Sequence, residues 1–209
     1  MNDITDMLPT RAKRLKDATN ETHDGLDKRI MSADPFGSRN RYGRLLRVQY
    51  CFHRDIDALY ANPALDRLLP DLSARRRLAQ IGRDIADLGQ TAPAADRPPF
   101  FGASDVDLPT AFGWLYVAEG SNLGAAFLLK AAAALGLDAD CGARHLAGHP
   151  GGRARHWREF TAALDALVLQ PDEEDRVIAG ARDAFVRVHT LVDAAFAGVF
   201  AVASSDAPS

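Results

Sequence analysis

The chain has 209 residues, 47% of them hydrophobic and 25% charged, a size over which one core can close, so a single domain over residues 1–203 with a disordered polar tail at 204–209 is expected. Lys and Arg number 25 against 28 Asp and Glu, and the resulting formal charge of −3 argues against a nucleic-acid-binding surface. Two cysteines, Cys51 and Cys141, exclude a disulfide framework and a four-cysteine metal site, and point to a reducing cytoplasm.

Met1 to Pro9 carries two Asp and no apolar run, which predicts no secretory signal. Apolar residues recur at helical rather than alternating spacing, so the chain reads as all-α. A first helix is expected from about Thr10 to Met31, broken by Asp34, Pro35 and Gly37. A second runs from about Arg39 to Tyr60 and a third from about Ser73 to Leu88, closed by Gly89. Pro93, Pro98, Pro99 and Gly102 then mark an irregular loop between Gln90 and Asp107. Asp107 caps the next helix, with Pro109 in its first turn; this helix continues to about Leu135 and is expected to be the longest. Its apolar run Leu123 to Leu137 is interrupted by Lys130 and falls short of the ~20 residues a membrane span needs. A turn rich in Gly and His, Asp138 to Gly152, leads to a helix carrying Trp157, Phe160, Leu164 and Leu167. The last helix starts at Pro171 and Asp172, with Phe185, Val188, Val192 and Phe196 as its core stripe.

The helix opened by Asp107 is locally unsuited to being one. Gly113, Gly120 and Gly124 sit in its interior at a cost of about 1 kcal/mol each relative to Ala. Their spacing places all three on one face, a strip of bare backbone against which something broad must lie. Two readings stay open: a close helix crossing, which small residues four apart permit, or a flat ligand, favoured by the polar-tipped neighbours Tyr116, Ser121 and Asn122.

On the first helix His23 falls among the apolar positions, about 20° from the direction of Ala12 and Ile30. Lys16, seven residues earlier, shares nearly the same face roughly 10 Å along the axis. That separation suits a ligand bound through a metal at its centre and a carboxylate at its edge. Haem has this shape, and one neutral imidazole supplies an axial bond.

Three stretches together resemble the bacterial haem oxygenases: Leu15 to Met31 (LKDATNETHDGLDKRIM), Gly113 to Phe127 (GWLYVAEGSNLGAAF) and Gly142 to Phe160 (GARHLAGHPGGRARHWREF). The resemblance implies a compact all-α fold with haem between a proximal helix bearing His23 as iron ligand and a distal helix kinked at Gly120 and Gly124, with Ser121 beside them. It implies that Lys16 and Tyr116 hold the propionate edge, a seating that favours opening at the α-meso carbon. It also implies a distal polar network, to which Gln49, His53 and Asn122 are assigned with Asp27 and Arg77 as further members. Bare distal backbone leaves room to steer oxygen sideways onto the ring and for water to deliver protons. Haem is then cofactor and substrate at once, consumed with O2 to biliverdin, carbon monoxide and ferrous iron. The chain has no flavin or nicotinamide fingerprint, so electrons are expected from a separate ferredoxin or flavin reductase. The product either feeds a bilin-binding photoreceptor or accompanies iron release.

The remaining candidates read as structural. His145, His149 and His156 lack a Cys or acidic partner at zinc spacing and are taken as turn and capping residues, His189 as a residue beside the core stripe, and Trp157 as core. Arg75, Arg76 and Arg77 read as a solvated face able to receive an acidic donor. Two other functions stay in view: a haem carrier or sensor without turnover, and a di-iron enzyme, which the lack of a Glu-x-x-His pair disfavours.

Overall fold

The computed structural model describes residues 9–95, 97–102 and 106–205, with side chains through residue 200. It contains seven α-helices among these residues: α1 Arg11–Ser32, α2 Arg39–Ile56, α3 Pro63–Asp66, α4 Leu78–Asp87, α5 Leu108–Ala133, α6 Arg153–Ala166 and α7 Pro171–Ser205. The long helices start where short polar side chains satisfy their first free amides. Thr10 Oγ1 accepts from Lys13 N at 3.3 Å, Ser38 Oγ from Arg41 N at 3.2 Å, and Asp107 Oδ2 from Thr110 N at 3.0 Å.

Three expectations change. The second helix gives way after Ile56 to a 3-10 turn, Asp57–Ala61, before Asn62 caps α3. The third begins only at Leu78, because Leu72–Arg75 forms its own 3-10 turn. The longest helix is α7 with 35 residues, against 26 for α5. It runs through Ser205, two residues into the segment read as a tail; residues 206–209 lie outside the described residues.

Helix α7 is the platform on which α1, α2 and α5 pack. Asp172, Glu173 and Glu174 open it, where carboxylates favour the positive end of the helix. Glu174 takes Arg11 at 2.6 Å and Arg14 at 2.7 Å, fixing the start of α7 to the start of α1. The crossing with α5 is closer than side chains allow. A Cβ on Gly113 would lie 2.2 Å from Val177 O, and one on Gly180 would lie 2.4 Å from Thr110 O. Gly113 is therefore a helix-crossing glycine, and the strip of three glycines divides into one that packs and two that do not. Around this crossing the first half of α5 is swallowed, with Phe112, Trp114, Leu115 and Ala118 all buried.

Asp55, fully buried on α2, gathers the periphery: its Oδ2 accepts from Arg97 of the irregular loop at 2.8 Å and from Arg187 of α7 at 2.7 Å. Asp84 and Asp87 of α4 do the same for the Gly-rich turn, taking the backbone amides of Arg144 and His145 (both 3.0 Å) and of Gly142 (2.7 Å). No helix among the described residues is long and apolar enough to cross a membrane.

Candidate functional site

Helices α1 and α5 both lie along α7 but scarcely pack on one another. Tyr116 ties them, its phenol donating to Ala12 O at 3.4 Å. Beyond that tie, α5 comes out of the core: from Ser121 onward only Ala125 and Ala132 of the helix are buried. Its sequence stays apolar regardless, leaving Leu123 43% and Phe127 64% exposed. The helix continues unbroken through Gly120 and Gly124. A Cβ on Gly124 would meet nothing within 4 Å, and one on Gly120 would make only ordinary contact with the Trp157 ring at 3.4 Å. Protein packing gives no reason for either glycine. Trp157, expected in the core, is half-buried and covers Gly120.

On α1, His23 is not among buried residues as its wheel position suggests; its side chain is 55% exposed. Leu15, Thr19 and Leu26 take the buried face of α1, and His23 stands at the edge of that face. Its ring meets Phe185 of α7 edge-on at 5.8 Å. Nδ1 is turned towards Asp27 Oδ2 at 3.6 Å and Asp24 Oδ1 at 3.8 Å, and Nε2 has no hydrogen-bond partner. Asp27 thus lies beside His23 and not in a network with α2, because it follows His23 by one helical turn. A carboxylate that accepts from Nδ1 leaves Nε2 able to ligate a metal, and Asp27 stands just outside hydrogen-bond distance of Nδ1. Lys16 is exposed on α1 and Tyr116 half-buried on α5. Burial, then Asp17 and Asp165, pushes the Tyr116 phenol up, so it stays a donor at neutral pH. Ser121 spends its hydroxyl on Ala118 O at 2.7 Å.

Behind α5 lies a buried polar cluster, which the sequence largely concealed. Arg75 is 2% exposed, not solvated; its guanidinium reaches Glu119 Oε2 at 2.9 Å, Pro70 O at 2.9 Å and His156 O at 3.2 Å. Tyr60 donates to the other Glu119 oxygen at 3.1 Å. Burial raises the Glu119 carboxyl above its ordinary value, although Arg75 opposes this. Arg77 is half-buried and donates to the carbonyl of His145, and only Arg76 of the three consecutive arginines faces solvent, paired with Asp57. The run is divided because the 3-10 turn ends at Arg75 and α4 starts after Arg77. Sequence reasoning missed Glu119, Arg75 and Tyr60; the available signal was a lone carboxylate directly after the apolar stretch of residues 111–118.

His53 is buried with Nδ1 unpartnered, and burial, then Arg77 and His145, pushes its imidazole down to about 3. Gln49 Oε1 and Asn122 Nδ2 are also buried without partners. His53, Arg77 and His145 thus lie within electrostatic reach of one another, while Arg77 and Asn122 line one cavity. His145 is not a surface turn residue: it is buried, with Nδ1 at 2.7 Å from Asp84 Oδ2. His156 is likewise buried, whereas His189 is about half exposed and pairs with Asp193 at 3.1 Å. Orphaned buried polar atoms are costly, and those of Gln49, His53 and Asn122 are open to partners outside the chain, water foremost.

A helical platform carrying two tied but scarcely packed helices, one bearing an exposed histidine and the other two glycines without a packing role, places the chain in an all-α class of proteins. Comparison with known proteins identifies the class. The family model described as Heme oxygenase matches residues 10–194. The chain is 46% identical to heme oxygenase PigA of Pseudomonas aeruginosa over 90% of this chain and 93% of that one. Its fold superposes on the NO- and CO-bound heme oxygenase of Neisseria meningitidis with a TM-score of 0.84 at 40% identity, covering 91% of this chain and 94% of that one. The heme complex of heme oxygenase-1 from the cyanobacterium Synechocystis has a TM-score of 0.73 at 16% identity, covering 94% and 96%, and shows the shared fold. The chain belongs to the haem oxygenase family and is a haem-degrading enzyme.

Proposed function

We propose that haem binds between α1 and α5, ligated by His23 Nε2, and is opened at the α-meso carbon to biliverdin, carbon monoxide and ferrous iron. The reaction takes O2 and electrons from a separate ferredoxin or flavin reductase in the cytoplasm. The observation that carries this reading is the pair of helix-interior glycines, Gly120 and Gly124, for which packing among the described residues has no use, on a helix that leaves Leu123 and Phe127 exposed and would form one wall of a haem trough against α1.

Haem, once bound, supplies the iron that reduces oxygen and the ring that is oxidised. The chain's part is to seat the ring and move protons. Asp27, with its carboxylate 3.6 Å from His23 Nδ1, is placed to orient the ring. Leu123 and Phe127 provide the apolar surface that the ring covers, which at about 25 cal/mol per Å² rewards a large planar partner. Lys16 and the Tyr116 hydroxyl are placed to take propionates, and this pairing selects the α edge. Gly120 and Gly124 would offer bare backbone to a bound ring, which would leave room for oxygen to be steered along it. His53 and Gln49, four residues apart on α2, and Asn122 on α5 anchor ordered water through their unpartnered atoms; being held neutral, His53 relays a proton without storing a charge.

The test is incubation of the purified protein with haem, a reductant and O2, followed by chromatographic identification of the bilin. Loss of the Soret band with the α isomer as product is expected. Another isomer overturns the Lys16 and Tyr116 seating, and a persistent Soret band overturns turnover.

A further inference from the structure

Between the start of α4, the middle of α5 and the start of α6 lies an enclosed cavity of about 10 Å³, enough for a single occupant of water size. Its wall includes Arg75, Arg77, Glu119, Asn122, Arg153 and His156. The charges do not balance. Glu119 is the wall's one carboxylate, and it is spent on Arg75 and Tyr60. Arg77 donates to the carbonyl of His145, and Arg153 to the carbonyls of Asn122 at 3.1 Å and Leu146. Neither has a carboxylate partner. The nearby acids are engaged elsewhere: Asp84 with Arg144 and His145, and Glu159 with Arg155. Arg77 and Arg153 therefore share this space with a single carboxylate, Glu119, that already serves Arg75, which leaves the wall with more positive than negative charge. Burial and the neighbouring Arg77 lower the Arg153 guanidinium accordingly.

The hydrogen-bonding balance points the same way. Arg77 Nε and Asn122 Nδ2 are buried donors without acceptors. Arg75 Nη1 sits 3.5 Å from His156 Nδ1, and since an arginine can only donate, Nδ1 is the acceptor and Nε2 carries the proton. His156 Nε2 is also buried and unpartnered, which makes a third orphan donor on a side chain 6% exposed.

We propose that this cavity is a binding site for a small monovalent anion of the halide class, held between Arg77 and Arg153 and hydrogen-bonded by His156 Nε2–H. The anion supplies the charge that the chain omits and anchors α6 to α5 directly behind Gly120. Because it needs only the folded chain, the proposal stands apart from the haem reading and is tested without haem.

Apo-protein crystals grown in sodium bromide and measured at the bromine edge give an anomalous peak in the cavity, within hydrogen-bond reach of Arg77 and Arg153. In solution, chloride raises the apo-protein Tm relative to sodium gluconate at equal ionic strength, gluconate being too large to enter. At ten times the chloride Kd the rise is about 3–6 °C for a chain of this size, and it is lost in Arg153→Gln. Water alone in the cavity of the bromide crystals overturns the site, and so does a chloride increment that persists in Arg153→Gln. The wild-type map needs no variant, so it decides the matter even where Arg153→Gln fails to fold.

Discussion

Gly113 and Gly124 occupy the same helix and carry the same propensity penalty, yet alanine at the two positions should move stability in opposite directions. At Gly124 a Cβ meets nothing within 4 Å, so Gly124→Ala recovers the helix-propensity difference of about 0.8–1 kcal/mol. For a chain of this length that raises the apo-protein Tm by about 2–4 °C. At Gly113 a Cβ would fall 2.2 Å from Val177 O and 2.5 Å from Ala181 N, both backbone atoms. The helices must move apart there, and overpacking of this kind costs about 1–3 kcal/mol or more beyond the propensity gain. Thermal melts of the apo proteins followed by circular dichroism give both signs directly. The functional half of the prediction runs the other way: the added methyl of Gly124→Ala enters the trough, so haem affinity falls and the bilin isomer distribution changes. A variant that is less stable without haem, or that binds and opens haem as the wild type does, would show that Gly124 serves the protein's own packing and would falsify the ligand-facing reading of this strip.

Removing the imidazole in His23→Ala should abolish the low-field histidine signature of the ferric complex and stop turnover; unchanged spectra would place the ligand elsewhere. His53→Ala should bind haem as tightly as wild type and degrade it more slowly, and an unchanged single-turnover rate refutes its part in proton delivery. Glu119→Gln leaves the Arg75 charge buried and without its counter-ion, a loss of about 3–5 kcal/mol, read as a drop of roughly 6–20 °C in apo-protein Tm. A shift under 2 °C would mean that the pair contributes nothing net. The buried histidines fix the sign of the acid response: His53 and His156 are pushed down to about 3 and about 4, burial being the larger cause in each. The unfolded chain therefore binds more protons as pH falls below about 6.5, and stability declines from there towards pH 4, by about 1.4 kcal/mol per pH unit for each histidine still neutral in the fold. His53→Phe should flatten that decline in denaturant melts, and an unaltered slope would show that His53 already titrates in the native state.

How much of this was legible in the sequence depends on whether the signal is local. Thr10 and Asp107 act through amides three residues ahead, so helix starts could be read off; the fate of the three arginines at 75–77 could not. Three like charges in a row describe a solvated face only if the backbone holds them together, and here a 3-10 turn and a fresh helix aim them in three directions. The burial of Arg75 was decided by Glu119, 44 residues away. His23 failed in the opposite sense. Its place on the wheel was right, but a helix edge counts as core only if a neighbour covers it, and α5 scarcely packs on α1.

That distance has a structural cause. Two long helices flanking a third normally close on each other, because each has an apolar flank to bury. Here α5 spends its close approach on α7, where Gly113 and Gly180 let the backbones meet, and α1 is held to α7 by Arg11, Arg14 and Glu174 at one end and by Arg29 and Asp193 at the other. With both flanking helices committed to the platform, the Tyr116 to Ala12 hydrogen bond is enough to tie them without closing the space between. The apolar surface of Leu123 and Phe127 then stays uncovered at a real cost in water. On the proposed seating, binding of a flat apolar ring would recover that cost, and the exposed surface would itself contribute to the affinity for haem. The same logic predicts that haem raises Tm well beyond what its axial bond alone supplies, and that filling the trough from the protein side with Gly124→Leu raises apo-protein stability while removing haem binding.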